Sequence, residues 1–526
     1  MRKAALAFVI ILAAAAMWLL PSRHKPAAEA GTMLRARINA DIASSEPGTK
    51  RDANTDAVMM HLVEGLVAAR EDGTVGPMLA SRWTVSPDGR TYRFTLRRGV
   101  RFHNGVPLTS TDVVWSFHRY LAPGSEWRCK PDLSPGGVAP VVSIKADGPY
   151  GVTIVLAHAA PLFLTELTRI DCAGTGIIQR QSVGPDGKWR YPIGTGPFRW
   201  GSWHHNQYVE LLRYKDYQSL PGPPDGNGGG KHALVDRLRF MDIPDDAAAS
   251  AALLRGSIDV LDGLAPDVLA DVTGVPGIKL TSSPSLDFYC ILFQNRDPLL
   301  ADPRLRRAIA LSLDVAALTR VATHGTATPD SSPVPTASPY YGAVERPLIR
   351  QDLAQARALA RAAGYRGQPI KLITSHSPPE MYDDAIIIQA MAREAGINLQ
   401  IVTLDWASQL ARYTNGDYQA MVFGFSARLD PSLSFGLLIG DKAQDPRKTW
   451  DSPAAMALLR QSIATADPKA RQAIFDRLDQ SFRRDAPAVI LYNTRRVTAM
   501  RSRVHGFRSW PAETQRLWNV SLQGRP

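Results

Sequence analysis

Between residues 370 and 425 the sequence alternates short apolar runs with amphipathic stretches of helical length, and this rhythm constrains the fold more than any other feature. Residues 370–374 read as a strand and 383–395 as a helix, with Gly396 just past its end. Residues 399–404 form the next strand, 405–415 a second helix and 419–425 a third strand. Strands alternating with helices of 10–15 residues imply a mostly parallel sheet. In such sheets ligands bind in the crevice beyond the carboxyl ends of the strands. The last apolar run, Met421 to Phe425, stops at Ser426, and Arg428, Asp430 and Pro431 follow. Two charges therefore stand where a buried strand meets an opening.

The rest of the chain carries clear local signals. Tyr92, Phe94 and Leu96 alternate with polar residues and share one strand face. The turn Ser86-Pro87-Asp88-Gly89 joins them to a hairpin partner at 82–85. Thr109 or Ser110 can cap a helix running to Tyr120. A longer helix is expected over 303–322, with Asp302 as its cap, Pro303 in its first turn and Gly325 as its stop. The run PGPPDGNGGGKH at 221–232 reads as a flexible surface loop. It fails as a phosphate-binding loop because His232 stands where a Ser or Thr would hold Mg²⁺.

Catalytic constellations are missing from the sequence. There is no G-x-S-x-G elbow and no H-E-x-x-H helix, and Gly194-Thr195-Gly196 is followed by Pro197 and no third glycine. His204-His205 lacks a spaced carboxylate or thiolate partner. Asp245-Asp246 and Asp383-Asp384 read as acidic first turns of helices. No metal and no cofactor is expected.

At 526 residues the chain exceeds what one core serves, so two or three lobes are expected. The net charge of +12, from 61 Lys+Arg against 49 Asp+Glu, comes from scattered residues, which points to a solvated basic surface and not to nucleic acid. A basic start, Met1-Arg2-Lys3, precedes an uninterrupted apolar run over 4–20, and Ala28-Glu29-Ala30 follows as a small-x-small site. This is the pattern of a secretory signal peptide; an uncleaved anchor is the alternative. Secretion permits a disulfide, and of the three cysteines Cys129 and Cys172 could close a loop, while Cys290 lies in an apolar run as a buried thiol.

Several segments together resemble one family. The longest runs from Leu79-Ala80-Ser81-Arg82-Trp83 through Ser86-Pro87-Asp88-Gly89 and Phe102-His103-Asn104-Gly105 to Leu108-Thr109-Ser110-Thr111-Asp112-Val113. Leu62 to Val67, Gly194-Thr195-Gly196-Pro197-Phe198, Leu253 to Val260, and Asp302 to Ala308 with Ser312-Leu313-Asp314 agree with it. Combined, they resemble the oligopeptide/dipeptide/nickel-type solute-binding proteins of ABC importers, over about residues 40–510. The resemblance implies an α/β, two-lobed periplasmic-binding-protein fold with an extra subdomain in the first lobe. The implied divisions are a signal peptide at 1–30, lobe I at 31–75 and 194–288 with the extra subdomain at 76–193, lobe II at 289–494, and a return to lobe I at 495–526. It further implies a periplasmic monomer that captures a peptide or another polar solute and delivers it to inner-membrane permease subunits. A secreted hydrolase of unrecognised site and a membrane-tethered interaction protein are the competing readings.

In peptide-binding relatives an aspartate after the strand at 419–425 typically holds the peptide's α-ammonium group; alignment on Pro431 puts Ala427 there. Arg428, a planar cation suited to carboxylate or phosphate, is the expected contact to an anionic or polyhydroxyl group. An Arg428–Asp430 surface pair is the alternative. Tyr289, Trp406, Phe425 and Asp430 complete the candidate ligand-binding residues, and Tyr340 and Tyr341 are further aromatic candidates; for each aromatic a core role is the favoured competing reading.

Overall fold

The computed structural model describes residues 31–523 apart from 51, 266–267, 377–379, 466 and 513–514. The N-terminal apolar run and its cleavage pattern lie outside the described residues. Two large sheets, each with its own core, define two lobes. The first lobe is built on a seven-stranded sheet ordered Ile278–Pro284, Arg495–Arg501, Val260–Asp262, Met33–Ile38, Arg237–Asp242, Tyr208–Arg213, Phe198–His204. Its centre is parallel, Met33–Ile38 lying between Arg237–Asp242 and Val260–Asp262, and its flanks are antiparallel. Leu34, Ala36, Leu238, Phe240 and Val260 are fully buried in it.

A four-stranded antiparallel sheet, Ala80–Val85, Thr91–Leu96, Gly151–Leu156, Val141–Asp147, packs against helix Ser110–Leu121. The alternation at 91–96 puts Tyr92, Phe94 and Leu96 in that core. Gly89, at φ +69°, lets the turn close with its N–H donating to the Ser86 carbonyl at 2.8 Å. Thr109 and Asp112 form a capping box on the helix. Cys129 and Cys172 are joined by a disulfide, with Cα atoms 5.9 Å apart, and Cys290 is a buried free thiol.

The second lobe holds a six-stranded sheet ordered Thr328–Pro329, Ala488–Asn493, Phe288–Phe293, Ala420–Phe425, Ile370–Ser375, Leu399–Leu404. The last three strands are parallel, as their alternation with helices predicts. The sheet as a whole is mixed, because Phe288–Phe293 inserts antiparallel between Ala420–Phe425 and Ala488–Asn493. A central strand drawn from far earlier in the chain leaves no local periodicity to betray its direction.

Three other expectations need correction. The segment 303–322 is two helices, Pro303–Leu311 and Val315–Ala322, because Asp314 accepts from the Ala317 N–H at 2.9 Å and starts a new helix. The glycine-rich stretch is no free loop. Pro224–Asp225 pairs with Gly228–Gly229, and Lys231 is buried beside Glu64 at 3.4 Å and over the Trp518 ring. A Cβ at Gly226 would lie 2.3 Å from the Ala69 carbonyl oxygen, so close packing, not flexibility, selects glycine there. The aspartate pair at 383–384 is split: the helix is Glu380–Glu394, and Asp384 in its second turn is fully buried.

Two chain segments cross between the lobes and are laced together. The Ser285 N–H donates to the Thr494 carbonyl, the Asn493 side chain donates to the Asp287 carbonyl, and the Asp287 carboxylate accepts from the Thr494 N–H at 2.8 Å and from its hydroxyl. Asp287 is buried, and removing a charged acceptor of this kind costs roughly 2 kcal/mol. Asp287→Ala is therefore expected to lower the unfolding free energy by about that amount in urea titration, with an unchanged midpoint counting against this reading of the crossing.

Candidate functional site

One edge of the second lobe's sheet collects the carboxyl ends of Ile370–Ser375, Leu399–Leu404 and Ala420–Phe425. The antiparallel strand Phe288–Phe293 begins at that edge and Ala488–Asn493 ends there. Tyr289 is paired in register with Gly424, and a Cβ at 424 would come within 3.0 Å of its ring, so the glycine lets the phenol lie across the strand. The other face of Tyr289 stacks on Tyr492, with ring centres 5.0 Å apart and an interplanar angle of 16°.

Beneath this stack the Tyr492 hydroxyl is hydrogen-bonded to Asp384 Oδ2 at 2.8 Å. Asp384 Oδ1 is buried and has no hydrogen-bond partner. Burial pushes the Asp384 carboxyl well above the usual carboxylate range, against the Tyr492 hydrogen bond and with help from Glu380 and Asp383. A carboxyl raised on folding contributes its full stability below the unfolded value of about 3.9 and loses it as pH climbs through the folded value. Asp384→Asn, which keeps the shape of the protonated acid, is expected to leave stability equal or higher at pH 8 and to flatten its alkaline decline. Thermal melts across pH 5–9 check this; a variant less stable than the parent at pH 8 would show that the ionised form is the native one.

Trp406 opens the helix Trp406–Asn415 just beyond the carboxyl end of Leu399–Leu404, where Asp405 caps it by accepting from the Ser408 N–H. The indole stacks on Phe423 at 5.5 Å and remains 37% exposed, so it presents a face to solvent at this edge. Phe425 does not: its ring is buried against Phe288, Phe423 and Tyr413. The expectation that Phe425 contacts ligand is corrected to one of supporting the edge from behind.

Asp430 is also corrected. It is buried, it caps helix Pro431–Leu438 through the Ser432 N–H, and it forms a two-point ion pair with Arg471 at 2.8 and 2.9 Å. The surface pair with Arg428 does not form, because Arg471 occupies both carboxylate oxygens. Tyr340 belongs to the same interior cluster, its hydroxyl accepting from Arg471 at 3.2 Å, and the Tyr341 hydroxyl donates to Asp330 at 3.3 Å.

Arg428 lies where the lobes meet. Its guanidinium donates to the Ser426 carbonyl and hydroxyl and to the Ala427 carbonyl at 2.9–3.1 Å, and its N–H reaches the Leu286 carbonyl of a crossing segment. The first lobe approaches from the other side: a Cβ at Gly73 would sit 3.6 Å from the Leu429 carbonyl oxygen. Facing Arg428 electrostatically is Asp171. Burial pushes the Asp171 carboxyl up, and Arg169, Arg428 and Arg128 overcome it, holding it down at about 2. Arg169 grips both of its oxygens, at 2.8 and 3.0 Å.

Asp171 sits beside the disulfide, at the head of a turn in which Ala173, Gly174 and Thr175 all take positive φ. Sequence reasoning missed Asp171, Asp384 and Tyr492. Tyr492 comes from a strand more than a hundred residues beyond Asp384, and no local pattern links them. The nearest signal for Asp171 was the cysteine that follows it.

A family model described as bacterial extracellular solute-binding proteins, family 5, matches residues 74–445. A probable di/tripeptide-binding protein of Pseudomonas aeruginosa is 28% identical over 409 residues, covering 73% of this chain and 74% of that one. Heme-binding protein A of Haemophilus influenzae is 24% identical over 511 residues, covering 91% and 89%. The solved structure of HbpA2 from Haemophilus parasuis superposes with a TM-score of 0.80 at 24% identity, covering 93% of this chain and all of that one, and so shares the fold. A match over most of the chain's length makes the chain a member of the bacterial extracellular solute-binding proteins, family 5.

Proposed function

We propose that the chain is the solute-capturing component of an ABC importer, working in the periplasm and handing its solute to permease subunits in the inner membrane. The solute lies between the lobes, against Trp406 and the Tyr289–Tyr492 stack, and presents an anionic or polyhydroxyl group to Arg428. The observation that carries this reading is the charge beyond strand Ala420–Phe425. Ala427 has no carboxylate, and Asp430, the one acid before Asp441, is neutralised by Arg471 inside the lobe. At the lobe junction Arg428 supplies a guanidinium, with Asp171 acting on it electrostatically, and no acid stands at 427 to hold a free ammonium group. The relatives support a binding role and not a single ligand, since their names span peptides and heme. Among polar solutes, an opine-like conjugate, a sugar derivative, a metal chelate or a peptide whose carboxylate is the anchor all fit.

Native mass spectrometry of protein recovered from its own periplasm would identify the retained solute. With that solute in hand, Arg428→Ala is expected to weaken binding 10- to 100-fold by calorimetry, the range of one to two charge-assisted hydrogen bonds. An affinity equal to the parent's would remove Arg428 from the site.

A further inference from the structure

The six-stranded sheet has a second charged edge, opposite the one that faces the first lobe. Strand Ala420–Phe425 spans about 20 Å from one edge to the other. At its amino end a cavity of about 340 Å³ opens, lined by Gln294, Arg296, Asp297, Asn415 and Lys442. That volume admits a small organic anion.

Its most buried charge is a cation without an ion-pair partner among the described residues. Lys442 is 3% exposed, and its ammonium donates to Gln294 Oε1. Among the described residues no carboxylate lies within 4 Å of that ammonium to form an ion pair. Arg306, also buried and near enough to act on Lys442 electrostatically, spends its guanidinium on the backbone carbonyls of Leu300, Ala301, Asp485 and Ala486. The rim residue Arg296 adds a third cation, paired with Asp451 at 3.0 Å. Asp297 lines the cavity, but one of its oxygens accepts from the Leu299 and Leu300 N–H groups and the other from Gln419. A buried cation is tolerated when it is paired or when it gives up its proton. Burial, with Arg296 and Arg306, brings Lys442 down to about 8, so it still carries its charge at neutral pH. Two cations, Lys442 and Arg296, line the open cavity, and Arg306 is buried nearby; Asp451 pairs with Arg296 and acts on Lys442 from beyond ion-pair distance, and both Asp297 oxygens are hydrogen-bonded, which leaves the Lys442 ammonium as the cavity's charged donor for an anion.

We propose that this cavity binds a small oxyanion, a carboxylate or a phosphate, with Lys442 as the buried contact and Arg296 as the rim contact. It is separate from the solute site between the lobes and does not depend on it.

Calorimetric titration of the full chain with citrate, and separately with inorganic phosphate, at constant ionic strength with chloride as the reference, tests this. Saturable binding of either anion is expected, and the anion that binds identifies the class. Lys442→Met should weaken it at least 10-fold and Arg296→Ala several-fold, while Arg428→Ala leaves it unchanged. If Lys442→Met fails to fold, Arg296→Ala on the half-exposed rim carries the test alone. No saturable heat for either anion above chloride, or parental affinity in both cavity variants, overturns the proposal. Loss of binding in Arg428→Ala also overturns it, because the anion would then be sitting between the lobes.

Discussion

Replacing Cys129 and Cys172 together by serine is expected to lower the unfolding free energy by about 4 kcal/mol, the loop-closure value for residues separated by 43 positions. The covalent link stands where the backbone is least relaxed. Directly after Cys172, Ala173 and Thr175 hold left-handed conformations that side chains rarely adopt, and a Cβ at Gly65 would lie 2.2 Å from the Gly174 carbonyl oxygen. The disulfide holds this turn against the first lobe, and with it Asp171, which faces Arg428 across the lobe junction. Urea unfolding of parent and double variant under non-reducing conditions measures the difference. Thiol titration of unfolded, unreduced parent should find Cys290 alone. Three reactive thiols, or an unchanged unfolding midpoint, would dismiss the bond.

The second large effect is expected at Arg471. Arg471→Ala leaves the Asp430 carboxylate buried without its partner, which costs about 3–5 kcal/mol. The same guanidinium also donates to the Ser462 carbonyl and the Ser432 hydroxyl and lies over the rings of Tyr340 and Phe475, so the whole 430–475 corner should loosen. Removing both members, Asp430→Ala with Arg471→Ala, should recover part of the loss, because no isolated charge then remains inside. Arg428→Ala, two residues away in sequence from Asp430, should cost less than Arg471→Ala, because its guanidinium bonds acceptors of its own loop at Ser426 and Ala427, and Asp171 keeps Arg169 and Arg128 as partners when it is removed. The pair of measurements separates a structural aspartate from the arginine proposed to face the solute. If Asp430→Asn weakened solute binding as steeply as Arg428→Ala while leaving the unfolding midpoint unchanged, Asp430 would return to the site.

Periodicity in the sequence is a record of local burial, and where burial is local it reads true. The alternation at 91–96, the turn at 86–89, the capping box at 109–112 and the parallel strands at 370–425 all follow from residues within a few positions of one another. Arg428 could be placed beyond a strand end for the same reason. Trp406 could be placed there too, since the cap at Asp405 starts its helix at that edge.

Partners far apart in the sequence were not legible, and the candidate site is made mostly of them. Asp430 reads as an exposed neighbour of Arg428 until Arg471, 41 residues on, takes both its oxygens. Asp384 reads as a solvated first-turn acid until Tyr492, from a strand 108 residues later, covers it. The glycines of 221–232 read as slack because sequence cannot show the carbonyl of Ala69 pressed against them.

By itself, then, the sequence determined the α/β character, the strands whose ends face the opening, and the cation beyond one of them, because side-chain period and turn chemistry act over a few residues. The tertiary structure decided which charges remain available at that opening. Burial and ion pairing are settled between elements that meet only when the chain folds, so the same two neighbours, Arg428 and Asp430, end as a lobe-junction cation and an interior strut.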